Sequence, residues 1–327
     1  MKRKFDKTFL VLKKLNESED FVSGQALGAM LGISRAGVLR HIAKLRGMGY
    51  RIDSESSKGH RLLGGEVYSA YSVELQMRRF LPVAFLSETT STNDVARRAA
   101  GSAGVVIAER QSAGRGRKAR AFVSEVGGVY LSCWFTPAFF AGGFLTPQDG
   151  IKSVLFAGLA VCRALDGFGV RGELKWPNDV LVGGRKICGI LSEMTATAEE
   201  IERIVLGIGV NVNNRTGLST AVSLSELRGM LFDRSEVAAK VADALGDVFE
   251  EYLRAGFAPL RKEVLARSCT VGREVRIDDG KQTYEARALD LDEEGFLVVE
   301  RGEERMRVIV GDVTLREKSC AASGGEE

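Results

Sequence analysis

The sequence is poor in histidine, the residue that many enzymes use for proton transfer or zinc binding. Its 327 residues include two histidines, His41 and His60, and no histidine follows position 60. Chemistry in the rest of the chain therefore proceeds without imidazole. This absence excludes Ser-His-Asp and Cys-His mechanisms there, together with most catalytic zinc sites, and no metal ligands are predicted.

Cysteine is also used sparingly. The five cysteines are odd in number, lie far apart and include no Cys-x-x-Cys pair. We therefore expect neither a disulfide framework nor a zinc site, but small buried side chains in a reducing compartment. The cysteines are Cys133, Cys162, Cys188, Cys269 and Cys320.

Long apolar runs are missing as well. No stretch of about 18 apolar residues occurs, and lysines interrupt the apolar positions of the N-terminal MKRKFDKTFLVLKKL. Neither a transmembrane helix nor a signal peptide is predicted. We expect a cytoplasmic protein without a membrane partner.

Acidic residues are scarce at the N-terminus. Residues 1–65 hold 13 Lys and Arg against 6 Asp and Glu, a net charge of +7, whereas the whole chain carries +3. The remainder of the chain therefore carries −4. A nucleic acid partner is expected to bind the basic N-terminal segment.

The segment FVSGQALGAMLGISRAGVLRHIAKLRGMGYRI has the pattern of two helices joined by a tight turn. Ser23 is predicted to cap a helix that ends at Leu31, and Gly32 provides the turn. Ser34 caps a second helix that ends near Arg46. A basic helix after a glycine turn is typical of the helix-turn-helix, whose second helix lies in the DNA major groove.

One face of this second helix is apolar and the other is basic. The predicted apolar stripe comprises Val38, Leu39, Ile42 and Leu45. GYRID, SESSKG and HRLL follow as the hairpin wing of a winged helix, with Lys58 and His60 placed to reach phosphates. A helix pair that binds protein is the alternative. The residues predicted to contact DNA are Ser34, Arg35, Arg40, His41, Lys44 and Lys58.

The glycines of LLGGEV, residues 62–67, indicate a linker after this unit. Strand-like and helical runs then alternate, with clear helices at IKSVLFAGLAVCRAL and SEVAAKVADALGDVFEEYL. Short strands separated by turns follow from CTVGREVRI onward. The sequence thus predicts an α+β protein with domains at residues 1–65, 66–266 and 267–327.

The run LGIGVNVNN alternates between a packed face and a bare one. The residues predicted to pack are Leu206, Ile208, Val210 and Val212. The residues of the opposite face are Gly207, Gly209, Asn211 and Asn213. Alternate glycines indicate a close approach to the backbone, either by a crossing helix or by a ligand. The asparagines favour a ligand pocket.

ELKWPNDVLVGGRKICGI combines a strand end with a hairpin. Pro177 lacks an N–H group and is expected to end a strand, which places Asn178 and Asp179 at its exposed end. The glycine turn that follows brings Lys186 back beside them. Lys186 is interpreted either as an edge residue whose ammonium reaches solvent or as a fixed cation for a phosphate or carboxylate.

Four cations crowd the segment QSAGRGRKARAF, residues 111–122. Its two glycines oppose both helix and strand, so the segment is predicted to be a mobile loop. The sequence closely resembles biotin protein ligases in four motifs, which occur in the same order and spacing. The motifs are this segment, KWPND, GRKICGI and GIGVNVNN. With the winged helix in front, residues 21–316 resemble the bifunctional subgroup that attaches biotin to protein and represses biotin synthesis genes.

The resemblance implies a central mixed sheet related to class II aminoacyl-tRNA synthetases and a small C-terminal SH3-like β-barrel. It also implies that Lys186, Arg115, Arg117 and Asp179 are the catalytic residues. Loop 111–122 is then expected to be a lid whose arginines clamp phosphates and which orders with adenylate bound. The residues implied to bind biotin or its adenylate are Ser91, Thr92, Asn93, Gln111, Arg115, Gly116, Arg117, Arg120, Asn178, Lys186, Gly189, Gly207, Gly209 and Asn211.

Three details of the match have consequences that depend on the three-dimensional structure. Strict alternation puts Lys186 and Gly189 on opposite strand faces, so one ligand contacts both only at the strand edge or where the strand bends. Ala119 stands where the family has glycine and is expected to stiffen the loop slightly. Phe122 stands for a tryptophan, keeping an apolar plug and losing the indole N–H.

The implied reaction joins biotin and ATP, with Mg²⁺ expected on the phosphates, into biotinyl-5′-adenylate. A lysine of a biotin carboxyl carrier protein then accepts the biotin. The resemblance further implies that adenylate binding promotes a homodimer on palindromic operator DNA. The alternatives are a lipoate ligase of the same broad fold and a regulator whose second domain only senses a small molecule.

Overall fold

The described part of the chain folds into an α+β structure with three sheets. The computed structural model describes residues 6–79, 81–140, 146–197, 201–309 and 311–315. Among these residues, none of the helices has both the length and the apolar character that a membrane span requires. Four cysteines are buried and free, and Cys320 lies outside the described residues. Burial raises the pKa of the Cys133 and Cys162 thiols to about 12.

The N-terminal unit is a winged helix with an additional helix in front. Its elements are α1 (Lys7–Asn16), α2 (Gly24–Leu31), α3 (Arg35–Gly47), β1 (Ile52–Glu55) and β2 (Gly59–Leu62). The Ser23 and Ser34 hydroxyls accept hydrogen bonds from the first turns of α2 and α3, and Gly32 between them has φ +60°. Both predicted helices and their turn are confirmed.

Two features of this unit differ from the prediction. Helix α1 was not predicted, and its residues Val11, Leu12 and Leu15 belong to the core beneath α2 and α3. Leu39 was assigned to the apolar stripe but is 50% exposed, whereas Val38 is fully buried. At about 100° per residue, position 39 points away from the stripe and joins the outer face of α3.

The central unit is built on a seven-stranded sheet in the order β3-β4-β5-β9-β8-β7-β6. Strands β3 and β4 pair in parallel, and all the other neighbours are antiparallel. Its elements are α4 (Ala70–Gln76), β3 (Val83–Thr89), α5 (Thr92–Arg98), β4 (Ala103–Gln111), β5 (Val129–Phe135), α6 (Pro147–Asp166), β6 (Glu173–Lys175), β7 (Asp179–Val182), β8 (Arg185–Ala196), β9 (Ile201–Val210), α7 (Leu224–Arg228), α8 (Arg234–Ala255) and α9 (Phe257–Arg267).

The two faces of this sheet are covered differently. Helices α6 and α8 pack their apolar stripes on one face and form the main core with residues such as Leu131 and Leu206. The short helix α5 covers part of the other face, where Ala96 packs against Val106, Trp134 and Val205. The rest of that second face is left for the candidate site.

The C-terminal unit is an antiparallel five-stranded sheet in the order β13-β12-β11-β10-β14. Its strands are β10 (Glu274–Asp278), β11 (Thr283–Leu291), β12 (Leu297–Arg301), β13 (Glu304–Val308) and β14 (Asp312–Leu315). It docks on Trp176, whose backbone N–H donates to Thr270 Oγ1 (2.9 Å) and whose indole donates to Gly295 O (3.2 Å). This contact fixes the C-terminal sheet beside the KWPND segment.

Helix α4 joins the N-terminal unit to the central one. Its Tyr71 and Leu75 pack on the N-terminal core, whereas Val73 belongs to the central core. Tyr50, three residues after the end of α3, forms 2.7 Å hydrogen bonds with the hydroxyls of Ser69 and Ser72. The predicted linker therefore leads into a helix that is packed on both units.

Candidate active site

A β-bulge in β8 brings Lys186 and Gly189 to the same face. The register with β7 skips Ile187, because consecutive residues of β7 lie opposite Cys188 and Lys186. One extra residue reverses the alternation between positions 186 and 189. A Cβ added to Gly189 would lie 3.1 Å from Lys186 Nζ. The strand thus bends, which was one of the two arrangements that allow a common ligand.

A cavity of ≈ 450 Å³ lies between this face of the large sheet and the C-terminal sheet. Small-molecule sites typically enclose about 300–1,000 Å³. The cavity is lined by all but one of the predicted ligand and catalytic residues, namely Ser91, Thr92, Asn93, Gln111, Arg115, Gly116, Arg117, Arg120, Asn178, Asp179, Lys186, Gly189, Gly207 and Gly209.

Side chains of the protein itself occupy the bare face of β8 and β9. A Cβ on Gly207 would lie 2.3 Å from Asn93 Oδ1, and one on Gly209 would lie 2.4 Å from the Phe122 ring. The same ring covers Gly189. The glycines therefore let Asn93 and Phe122 approach the backbone closely and reach the cavity.

The structure does not bring Asn211 to the cavity. Its Nδ2 lies 3.5 Å from Lys186 O, and its Oδ1 accepts a 3.0 Å hydrogen bond from Asn214. Asn213 exchanges two hydrogen bonds with the backbone of Phe232. Because β9 ends at Val210, the backbone beyond it needs new partners, and the asparagines provide them.

Arg115 of loop 111–122 is fixed against helix α5. Its guanidinium donates two 2.8 Å hydrogen bonds to the Asp94 carboxylate and lies 3.6 Å from Glu193. The bidentate pair lowers the pKa of Asp94. Arg115 is thereby held at the edge of the cavity beside Asn93.

Asp312 of the C-terminal sheet holds the other cations of the loop. Its carboxylate lies 3.5 Å from Arg117, 3.5 Å from Lys118 and 2.6 Å from Arg120. Arg117 also donates to Gly311 O (2.9 Å). The loop is thus tied to a strand that lies almost 200 residues further along the chain.

A second ion pair fixes Lys186. Its Nζ lies 2.6 Å from Asp179 Oδ1, and Lys175 Nζ lies 4.0 Å from the other oxygen of this carboxylate. The Lys186 ammonium also lies 5.9 Å from the centroid of the Phe122 ring. The hairpin predicted to bring Lys186 back beside Asn178 and Asp179 is confirmed.

Several lining residues were missed from the sequence. Lys175 carried a signal, since it opens KWPND, the motif from which Asn178 and Asp179 were assigned. The residues of the C-terminal sheet carried none, because only the fold brings them to the cavity. They are Arg276, Asp278, Thr283, Asp312, Val313 and Thr314.

Ala119 adopts a left-handed conformation with φ +56°, and Lys118 before it has φ +52°. Residues other than glycine pay roughly 1–2 kcal/mol for this conformation. The expectation that Ala119 only stiffens the loop slightly is therefore incomplete. In this conformation of the loop, alanine is strained where glycine is not.

Family models match a part of each of the three units. The biotin/lipoate A/B protein ligase family model matches residues 83–211, an HTH domain model matches residues 7–61, and the biotin protein ligase C-terminal domain model matches residues 270–316. The bifunctional ligase/repressor BirA of Bacillus subtilis is 30% identical over 90% of this chain and 94% of its own length. The chain belongs to the biotin protein ligase family.

Other relatives cover both the full chain and the ligase part. BirA of Escherichia coli is 29% identical over 94% of this chain and 97% of its own length. The Aquifex aeolicus biotin protein ligase in complex with biotin and ATP superposes with a TM-score of 0.63 at 27% identity. The superposition covers 72% of this chain and 98% of the Aquifex chain.

The predicted DNA contacts of α3 fall into two groups in this family member. Arg35 and Arg40 are exposed on the outer face, and Ser34 caps the helix there. His41 Nδ1, in contrast, lies 3.0 Å from the buried Thr8 Oγ1, and Lys44 Nζ lies 3.3 Å from Asp6. The unpredicted α1 therefore contacts the side of α3 that carries His41, whereas Lys44 stays exposed beside Asp6.

The wing also differs from the prediction in one residue. Lys58 is exposed at the tip and pairs with Glu55 at 2.8 Å. His60 is buried, its Nδ1 lies 2.6 Å from Ser54 Oγ, and burial lowers its pKa. His60 therefore packs inside the unit and does not reach outward.

Asp312→Asn is expected to loosen loop 111–122, because three cations lose their shared carboxylate. Trypsin, which cleaves after Arg and Lys, should cut the loop about fivefold faster, the equivalent of roughly 1 kcal/mol. The matched control is Asp278→Asn, since Asp278 pairs with Lys118 alone in this loop. Equal cleavage rates in the two variants would contradict the common role of Asp312.

Ala119→Gly is expected to stabilise the same loop conformation by roughly 1 kcal/mol, because glycine adopts φ +56° without strain. Tryptic cleavage of the loop should slow about fivefold. The control is Ala121→Gly, an exposed alanine of the same loop outside the left-handed pair, where cleavage should stay equal or become faster. Faster cleavage of the Ala119→Gly protein would show that this conformation is not the one the loop favours.

Proposed function

We propose that the protein is an ATP-dependent biotin protein ligase and also a DNA-binding repressor. One observation carries the ligase function: neutral hydrogen-bonding groups and fixed cations line the same cavity. Ser91, Thr92 and Gln111 suit the cyclic urea of biotin. The cations suit its carboxylate and the phosphates of ATP; they are Arg115, Arg117, Arg120, Lys175, Lys186 and Arg276.

In the first step, a carboxylate oxygen of biotin attacks the α-phosphorus of ATP. The bond from this phosphorus to the bridging oxygen breaks, so pyrophosphate leaves and biotinyl-5′-adenylate remains. The two reactants are anions that repel each other, and the protein's contribution is to position them and to stabilise the charge that develops at phosphorus. Lys186 does this most directly, with Asp179 fixing its ammonium.

In the second step, the amine of the acceptor lysine attacks the acyl carbon of the adenylate. The new C–N bond forms, AMP leaves with the bonding electrons of the anhydride, and the amine loses its proton. No side-chain nucleophile is needed, which agrees with a catalytic unit that contains no histidine. We propose a biotin carboxyl carrier protein as the acceptor.

Mg²⁺ is proposed to enter with ATP. In nucleotide sites this ion binds through one or two carboxylates together with the phosphates. Asp179 and Asp312 line the cavity and offer such oxygens, although both are paired with cations here. The residues present thus fit a metal ion that arrives bound to the phosphates of ATP. This ion would neutralise part of the phosphate charge.

The repressor function rests on the basic winged helix. Arg35 and Arg40 project from the outer face of α3, and Lys58 lies at the tip of the wing. We propose a cytoplasmic protein that forms a homodimer when adenylate is bound, so that two winged helices occupy two half-sites of operator DNA. Hydrogen bonds of α4 to Tyr50 and its packing on both cores give this coupling a physical path.

Lys186→Ala should lower biotin-dependent exchange of pyrophosphate into ATP by about 10²-fold or more, as for other preorganised charge donors. Arg185→Ala is the matched control, since this neighbouring cation is exposed and does not line the cavity. Near wild-type exchange by the Lys186→Ala protein would contradict its role.

The same exchange assay tests the function of the wild-type protein. A biotin ligase should catalyse the exchange of pyrophosphate into ATP when biotin is present. Excess lipoate should not inhibit this exchange. Exchange that needs lipoate would support the lipoate ligase, and absence of exchange with either acid would support the regulator that only senses a small molecule.

Arg40→Ala should weaken binding to duplex DNA from upstream of the biotin synthesis genes and reduce the slope of log K against log salt by about one. The control is Lys14→Ala, which removes an exposed cation of α1 that pairs with Glu17. Fluorescence anisotropy with adenylate present measures both variants across a salt series. Equal losses in the two variants would contradict a DNA contact by α3.

A further inference from the structure

Ser132 is a fully buried polar residue in the middle of β5, beneath the start of α5. It does not line the cavity. Its Oγ lies 2.7 Å from Thr92 Oγ1 and 2.6 Å from Asn93 Oδ1, so it supports two predicted ligand residues from below. Buried hydroxyls of this kind normally satisfy a defined set of partners.

The neighbouring amides have fixed orientations. The Nδ2 of Asn93 lies 2.7 Å from Glu193 Oε2 and 3.4 Å from Leu191 O, which leaves Oδ1 facing Ser132. Gln111 Nε2 donates to Ser124 Oγ at 2.8 Å, and Gln111 Oε1 accepts from the Thr92 backbone N–H, also at 2.8 Å. The oxygen of each amide, and not its NH₂ group, therefore faces the hydroxyl cluster, where it can only accept hydrogen bonds.

The three oxygen contacts of this cluster share two hydroxyl protons. The contacts are Ser132–Asn93, Ser132–Thr92 and Thr92–Gln111, the last at 3.1 Å. The donors are the Ser132 and Thr92 hydroxyls, each with a single proton. If Ser132 donates to Asn93 and Thr92 donates to Ser132, Gln111 Oε1 keeps a free lone pair. If Ser132 donates to Thr92, Asn93 Oδ1 is the oxygen left without a proton. If Ser132 donates to Asn93 and Thr92 donates to Gln111, both amide oxygens are satisfied, but the two hydroxyl oxygens then lie 2.7 Å apart with no proton between them. The first arrangement keeps a proton in the two shorter contacts and leaves open the 3.1 Å contact to Gln111.

We propose that Ser132 is a positioning residue that sets the specificity of the site for a cyclic urea. This inference rests on the proposed ligase function. In the first arrangement, Gln111 Oε1 keeps a lone pair that no hydroxyl proton of the cluster fills, and an N–H group of the ligand donates to this oxygen. The cyclic urea of biotin carries such N–H groups, whereas the dithiolane ring of lipoate carries none.

Ser132→Ala removes the shared hydroxyl. The Thr92 hydroxyl then donates to Gln111 Oε1 and fills the lone pair that the ligand N–H group would use. Asn93 Oδ1 also loses the only donor that the described contacts give it. We expect the affinity for biotin to fall roughly tenfold, as when a buried hydrogen-bonding group is left unsatisfied. The KM for ATP should stay within about twofold, and the preference for biotin over lipoate should shrink by the same factor as the biotin affinity.

The experiment compares wild type, Ser132→Ala and the nearly isosteric Ser132→Cys by calorimetric titration with biotin, with desthiobiotin and with lipoate. Desthiobiotin keeps the cyclic urea and lacks the thioether, so it should lose affinity to the same extent as biotin. The cysteine variant keeps the packing but donates weakly, so a similar loss is expected. Pyrophosphate exchange gives the KM values for biotin and ATP separately.

Ser235→Ala is the matched control, since Ser235 is also fully buried, donates to Val67 O and lies outside the cavity lining. Its biotin affinity should remain at the wild-type value. The inference is overturned if the folded Ser132 variants bind biotin within about twofold of wild type, or if their biotin and ATP constants rise together. Failure of the wild-type protein to bind biotin would instead overturn the proposed function.

Discussion

Repulsion among cations is the constraint on which the structure of this site depends. Six cationic side chains line one cavity, together with three carboxylates. Like charges so close together destabilise a fold unless counter-charges are built in. The structure provides counter-charges as ion pairs. Asp94 pairs with Arg115, Asp179 pairs with Lys186, and Asp312 pairs with the other cations of loop 111–122. The remaining positive excess suits the phosphates of ATP.

The C-terminal sheet contributes to the same charge balance. Its Asp278 and Asp312 supply two of the three carboxylates in the cavity, and Arg276 adds a cation. Trp176 docks this sheet directly beside the residues that carry the proposed chemistry. The C-terminal unit is therefore a wall of the site as well as a separate sheet. Sequence motifs confined to the central unit describe only part of the cavity.

The N-terminal unit uses its charge in two ways. Arg35 and Arg40 are exposed on the outer face of α3, where an anionic partner can reach them, whereas Lys44 pairs with Asp6 in front of α1. Asp6 also caps α1 and accepts a hydrogen bond from Tyr71 of α4. The same carboxylate thus links the recognition helix, α1 and the helix that leads into the ligase.

The resemblance to biotin protein ligases supplied most of the predicted cavity lining. Local chemistry in the sequence determined the helix caps at Ser23 and Ser34, the turn at Gly32 and the hairpin before Lys186. Each of these depends on residues close together in the chain, where capping, glycine conformation and alternation act directly. Only the tertiary structure decided the bulge at Ile187, the turning of His41 toward α1, the strain at Ala119 and the part played by Asp312. These depend on partners far away in sequence, and no local pattern encodes which distant side chain will satisfy a given charge or backbone group.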